Sequence, residues 1–300
     1  HYFAQQKVNI AIIEVGLGGR LDSTNVLSPI LSVITNISFD HTNFLGNTLP
    51  LIAAEKAGII KHNTPVVIGE IQEETRPVFE AKAKKMNASI HFAEQTYLLK
   101  NVTKTLTYQQ FDVYKNGILQ YPKLQSDLQA NYQQKNLVTA LQCLEMLPEL
   151  GFKVSTEDVY SALKSVKKIS KLLGRWHILS EKNPAIIADS AHNIAGIQYA
   201  MQQIEAIDFQ HLHFVFGTVN DKEHDKVLQK LPTNATYYFC KADVPRGLNA
   251  QKLKEKAAEF GLQGEAYASV EEALKAAKTI AGDEDLIYIG GSIFVVAEIV

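Results

Sequence analysis

Val8 to Asn25 reads V-N-I-A-I-I-E-V-G-L-G-G-R-L-D-S-T-N, and this stretch decides the fold. Its aliphatic run, Asn9 to Val15, has the near-continuous apolar character of a parallel strand covered on both faces. Gly16, Gly18 and Gly19 then turn the chain, since glycine is the default residue where backbone must bend sharply. Glu14 stands at the end of the run, and Arg20 and Asp22 follow inside the turn. Open α/β sheets bind ligands at the carboxyl ends of their strands, so this turn is a candidate site. A dinucleotide fingerprint would need its third glycine at Leu21. That mismatch removes the main support for a nicotinamide-dependent oxidoreductase.

Strand and helix signals alternate outward from this turn. Ile30 to Ile37 reads as a second buried strand. Thr48 and Pro50 open a helix that runs to about Ile59, with Thr48 as cap and Pro50 in the first turn. Pro65–Ile68 is a short strand and Arg76–Met86 a helix. Between Ala93 and Ser126 the rhythm breaks into short Thr-, Tyr- and Val-rich segments around Asn116-Gly117, the strongest short-range hairpin signal. Helices return over Tyr132–Leu147 and Thr156–Val166. The basic stretch Lys167–Gly174 marks a boundary between residues 1–172 and 173–300. Beyond it, strands at 177–180, 185–188, 212–216, 237–240 and 286–289 alternate with helices at 195–204, 223–231, 250–260 and 270–280. The expected fold is α/β: a parallel-sheet domain with a small β insertion, then a doubly wound Rossmann-like domain.

Composition excludes more than it selects. The 300 residues carry a net charge of −2, which gives no electrostatic footprint for nucleic acid or an acidic membrane. Cys143 and Cys240 are the two cysteines; they lie far apart, so no disulfide framework is expected and a reducing cytoplasm is the default.

Carboxylates and imidazoles recur at strand ends. Glu14, Asp40 and His41 can converge from the first two strands and hold a divalent cation. Mg²⁺ prefers oxygen, so the histidine indicates that Mn²⁺ would also serve. Asp189 and His192 follow the strand over 185–188, before a helix whose N-terminus favours anions; helix capping alone also explains Asp189. Arg175 is either one more linker charge or a bidentate phosphate clamp. Lys56, on these residues alone, reads as a surface lysine beside Glu55. Gly217–Lys222, Pro245-Arg246-Gly247 and Gly290-Gly291-Ser292 all follow strands and form a ligand-facing rim.

Taken in order, E-V-G-L-G-G-R-L-D-S-T-N, D-H-T-x-F-L-G from Asp40, E-K-A-G-I from Glu55, Q-x-x-N at Gln133–Asn136, G-R-W at Gly174–Trp176, D-x-A-H-N at Asp189–Asn193 and G-G-S at Gly290–Ser292 closely resemble the folylpolyglutamate synthase and dihydrofolate synthase family of the Mur ligase superfamily. The resemblance covers nearly the whole chain. It implies an ATP-dependent ligase that makes an acyl phosphate on a pterin or folate carboxylate and passes it to the amine of L-glutamate. It implies metal ligation by Glu14 and His41, and ATP contacts by Asn136, Arg175 and Asp189. It further implies pterin contacts by Leu21, Asp22 and Ser23, a carbamylated Lys56, a cleft role for His192, and glutamate on the rim. The implied ligands are ATP, Mg²⁺ and these small molecules, with neither nucleic acid nor membrane, and the full-length enzyme is expected to be monomeric. A Mur enzyme acting on a UDP-linked sugar, or a folate-binding remnant without catalysis, stays open beside it.

Two departures stand out. Ile194 replaces the proline that often follows D-x-A-H-N. The family's phosphate loop, a G-x-x-x-x-G-K-[ST] pattern, is found nowhere in the chain, which starts at His1. The expectation is therefore an N-terminally truncated ATPase domain that exposes apolar surface, binds ATP poorly and does not ligate by itself.

Overall fold

The computed structural model describes residues 2–105, 107–220 and 224–300. The chain folds into two compact units. The first holds His1–Leu98, Tyr114–Ile118 and Lys135–Val154, and the second Leu99–Val113, Leu119–Gln134 and Ser155–Val300. No helix among the described residues is long and apolar enough to cross a membrane.

The first unit holds a three-stranded parallel sheet in the order β1 (Ser32–Ile34), β2 (Val66–Ile68), β3 (Ile90–Phe92). Its core joins Ile34, Ile52, Ile60, Ile68, Phe79 and Phe92. Two helices close that face. Leu49–Lys56 is capped by the Thr48 hydroxyl, which accepts from Leu51 N, and carries Pro50 in its first turn as its sequence predicts. A 3₁₀ turn, Ala57–Ile59, extends it. Arg76–Lys85 buries Phe79 and Ala83.

The expected strand over Asn9–Val15 is not formed. Those residues are irregular and pair with no strand among the described residues. An apolar run becomes a strand only where a neighbour completes its backbone hydrogen bonds. Among the described residues β2 is the one strand beside β1, and Ile12 stays 92% exposed. The expected strand at Ile30–Ile37 shrinks to β1, which alternates buried and exposed residues because only one of its faces is covered.

A second three-stranded sheet follows, in the order β4 (Tyr97–Lys104), β5 (Gln109–Lys115), β6 (Ile118–Ser126). Asn116 and Gly117 link β5 to β6 with φ of 48° and 82°, the left-handed pair that a two-residue hairpin requires. Helix Gln133–Met146 comes next. Helix Thr156–Lys164 is closed by a capping box between Ser155 and Asp158.

The second unit is built on a six-stranded sheet of β7 (His177–Ser180), β8 (Ala185–Ala188), β9 (Leu212–Phe216), β10 (Thr236–Phe239), β11 (Gln263–Ala266) and β12 (Leu286–Gly290). Their order is β11-β10-β9-β12-β8-β7. All neighbours are parallel except β7 and β8. One face packs Phe214, Phe216, Tyr237 and Tyr288 under helix Ile194–Ile204 and helix Ala250–Ala258. The other packs Val215, Ile287 and Ile289 under helix Val270–Ile280. This is the doubly wound domain that the alternation of the sequence predicts. Of the helix expected over 223–231, the structure describes His224–Leu228; Asp221, Lys222 and Glu223 lie outside the described residues.

Candidate active site

In the first unit the glycine turn is clamped onto the helix that carries Lys56. Arg20 N donates to Glu55 O at 2.9 Å. The Arg20 guanidinium meets the Glu55 carboxylate at 3.0 Å. Arg20 is 56% exposed in this pair, and exposed ion pairs contribute about 0–1 kcal/mol. Close backbone approach therefore does more to fix the turn. A Cβ on Gly58 would lie 2.3 Å from Arg20 Cα, and one on Gly19 would lie 3.0 Å from the Glu55 and Lys56 carbonyl oxygens. Only hydrogens allow the two segments to touch this closely.

Asp22 organises the turn from within. Its Oδ2 accepts from Gly16 N and Leu17 N at 3.1 and 2.9 Å, and its Oδ1 from Thr24 N at 2.9 Å and Thr24 Oγ1 at 2.5 Å. The hydroxyl and amide bonds from Thr24, with those from the turn, hold its carboxyl down at about 2. Both oxygens are engaged by the loop, so Asp22 shapes the turn on which Leu21, 79% exposed, and Ser23 are presented.

Glu14 lies exposed in the irregular segment before the turn. His41 caps no backbone group, has left-handed φ and ψ of 49° and 38°, and places Nε2 3.7 Å from Asp40 Oδ1. A histidine in this conformation is uncommon and marks a site worth reading functionally. Among the described residues no group of three or more His, Cys, Asp or Glu forms a metal cage. A carboxylate with one or two further ligands still fits Mg²⁺, which keeps water and substrate phosphate oxygens for the rest of its shell. The loop before His41 is held by Gln72, whose side-chain amide makes paired bonds to Ile37: Ile37 N to Oε1 at 3.1 Å and Nε2 to Ile37 O at 2.9 Å. Nothing in the sequence singles out Gln72.

Lys56 is half-buried. Burial lowers its amine pKa, and the nearby Asp40 charge opposes that shift. Asn136 lies exposed on helix Gln133–Met146, in the first unit.

In the second unit, Asp189 is fully buried. Its Oδ2 accepts from Trp176 N at 2.6 Å and Tyr132 OH at 3.2 Å, and its Oδ1 from Ala191 N at 2.8 Å. Burial raises its pKa, and the backbone donors and Arg175 oppose the rise. The carboxylate is enclosed, and both of its oxygens accept from protein donors. Its place is to hold the Gly174–Trp176 turn. Gly174 and Trp176 flank Arg175 with φ of 68° and 47°. For a bulky residue such as Trp176 that is a true outlier, costing roughly 1–3 kcal/mol, and the Asp189 carboxylate offsets it. His192 is exposed, with Nδ1 3.0 Å from Ser190 O. Asn193 caps helix Ile194–Ile204 through its bond from Gly196 N, so Ile194 is simply the first helical residue.

The rim segments do converge at the carboxyl ends of β9, β10 and β12. Val219 bridges Gly247, Asn220 N donates to Arg246 O at 2.7 Å, and Gly217 N donates to Gly290 O at 3.3 Å. The Arg246 guanidinium lies 4.6 Å from the Phe294 ring centre.

Comparison with known proteins gives this arrangement a family. Residues 1–144 match the Mur ligase middle domain and residues 174–293 the Mur ligase glutamate ligase domain. The dihydrofolate synthase/folylpolyglutamate synthase of Bacillus subtilis (strain 168) is 30% identical, over 99% of this chain and 68% of its own. The folylpolyglutamate synthase of Lacticaseibacillus casei is 28% identical over the same shares. Among solved structures, Mycobacterium tuberculosis folylpolyglutamate synthase complexed with ADP superposes with a TM-score of 0.88 at 28% identity, covering 99% of this chain and 68% of that one. E. coli FolC in complex with DHPP and ADP gives 0.83 at 29%, covering 99% and 67%. The chain is a Mur ligase. Within that class it belongs to the dihydrofolate synthase/folylpolyglutamate synthase family.

Proposed function

We propose that this protein is an ATP-dependent ligase that joins L-glutamate to dihydropteroate, to a reduced folate, or to both. ATP phosphorylates the substrate carboxylate, and the glutamate amine displaces phosphate from the resulting acyl phosphate. The observation that carries this reading is that each unit holds a built site of its own: the clamped glycine turn beside Lys56 in the first, and the strained Arg175 turn with its converging rim in the second.

Glu14 and His41 would hold Mg²⁺ or Mn²⁺, which neutralises charge on the transferring phosphoryl group. Lys56 would take up CO₂: its neutral Nζ forms the N–C bond and releases a proton, so a cation becomes an anion. The lowered amine pKa supports that step. Leu21, Asp22 and Ser23 form the pterin-side turn, with Asp22 as its organiser. Asn136, in the first unit, and Arg175 and Asp189, in the second, would each contribute to ATP binding, Asp189 also by holding the Arg175 turn, and His192 would act near the phosphates. We set the border between an ATP-binding domain (1–172) and a glutamate-ligase domain (173–300) at Lys167–Gly174. The start of the second family match at residue 174 supports it.

The test is incubation of the protein at its natural length with ATP, Mg²⁺, L-glutamate and either dihydropteroate or a reduced folate, read by mass spectrometry. One added glutamate on dihydropteroate, or a ladder on folate, is expected. No shift with either substrate, together with a shift on a UDP-sugar acid, would replace this reading with the cell-wall one. On the rim, Arg246 offers a guanidinium fork suited to a carboxylate. Arg246→Ala is expected to raise KM for L-glutamate about tenfold with KM for ATP unchanged; equal effects on both would remove Arg246 from the glutamate subsite.

A further inference from the structure

Arg175 projects from a turn that does not hold its shape by local preference. Its neighbours on both sides are left-handed, and one of them is a tryptophan. Three interactions fix the turn: Trp176 N on Asp189 Oδ2 at 2.6 Å, Ser190 N on Gly174 O at 2.9 Å, and the packing of Gly174, where a Cβ would meet Val296 at 2.9 Å. The Asp189 oxygen that holds Trp176 N has a second donor, the Tyr132 hydroxyl at 3.2 Å. Tyr132 is largely enclosed, and both Asp189 and Arg175 act electrostatically on it. It comes from the segment that enters helix Gln133–Met146, far in sequence from the turn. That segment is itself tied down: Asn131 N donates to Gln203 Oε1 at 2.8 Å, and Gln203 Nε2 returns a bond to Gln129 O at 3.1 Å. Tyr132 therefore reaches Asp189 from a fixed base. A second tyrosine, Tyr288, lies under the same turn with its ring 6.2 Å from that of Trp176. Its buried hydroxyl has no hydrogen-bond partner among the described residues.

We propose that Tyr132 is a positioning residue for the nucleotide site: its hydroxyl orients the Asp189 carboxylate, which holds Trp176 N and so sets the direction of Arg175. The inference rests on the reading of Arg175 as an ATP contact. Removing the hydroxyl leaves Asp189 Oδ2 with one donor, loosens the turn, and weakens the grip on the phosphates without touching the glutamate rim.

Tyr132→Phe keeps the ring and deletes only the bond. In the protein at its natural length it is expected to raise KM for ATP about three- to tenfold, leave kcat within about twofold, and leave KM for L-glutamate unchanged. Trp176 is the single tryptophan of these 300 residues, so the emission of this chain reports the turn directly, and Tyr132→Phe should shift it in the absence of nucleotide. Tyr288→Phe, which deletes a hydroxyl with no hydrogen-bond partner among the described residues, should leave KM for ATP unchanged. Arg175→Lys is run in parallel. If it raises KM for ATP while Tyr132→Phe does not, the positioning role is wrong. If Tyr288→Phe matches Tyr132→Phe, the effect is general packing and the proposal fails. If neither Arg175→Lys nor Tyr132→Phe alters KM for ATP, the nucleotide reading of the turn falls, and this inference with it.

Discussion

Gly58→Ala is expected to fold less stably and to lose about 100-fold in ligase activity. The added methyl would sit 2.3 Å from Arg20 Cα and 2.6 Å from Arg20 N and Cβ. These are backbone or near-backbone atoms, so no rotamer change relieves the clash. Overpacking of this kind costs roughly 1–3 kcal/mol. Relief must come from movement of the whole glycine turn, which also breaks the bond from Arg20 N to Glu55 O. Displacement by about 1 Å is enough for a loss of about 100-fold when a group has to meet a reacting centre. Gly19→Ala faces the same helix at 3.0 Å and should show a milder version of both effects. Thermal melts and steady-state rates on the two variants give the comparison. A Gly58→Ala enzyme with normal rates would mean that the turn does not need to lie against the helix.

The second large effect concerns Lys56. Lys56→Arg keeps a positive charge and the helix but cannot form a carbamate. It is expected to lower kcat by about 100- to 1,000-fold, the scale of losing one electrostatic group at a reacting phosphate, with the melting temperature little changed. Wild-type activity should also fall in CO₂-depleted buffer and return with bicarbonate, and a carbamate carbon should appear by ¹³C NMR. Full activity of Lys56→Arg would exclude the carbamate. The burial that lowers the amine pKa favours the neutral form that reacts with CO₂.

The sequence was most legible where a signal is local. Thr48 and Pro50 announced a helix start. Asn116-Gly117 announced a hairpin because few other dipeptides accept two left-handed residues. The strands around Leu212–Phe216 and Leu286–Gly290 are aliphatic or aromatic almost throughout, since both faces are covered. Signals failed where the outcome depends on distant partners. Asn9–Val15 has the composition of a buried strand and, among the described residues, no strand beside it. β11, Gln263–Ala266, has almost no apolar pattern and exists because β10 offers a free edge; Gly264 lets it come close, as a Cβ there would lie 1.8 Å from Tyr237 O. Within the site, the order of motifs located Asp189 at a strand end. It could not reveal that Trp176 N and Tyr132 OH, brought from two other segments, would enclose the carboxylate. Gln72 and Tyr132 were unreadable for the same reason, because each acts through a partner remote in the chain.

The β5–β6 hairpin has a use outside catalysis. Asn116 and Gly117 are exposed, and nothing lies within 4 Å of a Cβ built on Gly117. Exposed tips of this kind tolerate inserted sequence, and lengthening such a loop costs only about 0.6 kcal/mol for each doubling. The tip is thus a natural graft point, where an affinity peptide or a fluorescent label could be spliced in and read out while the strands keep their registers.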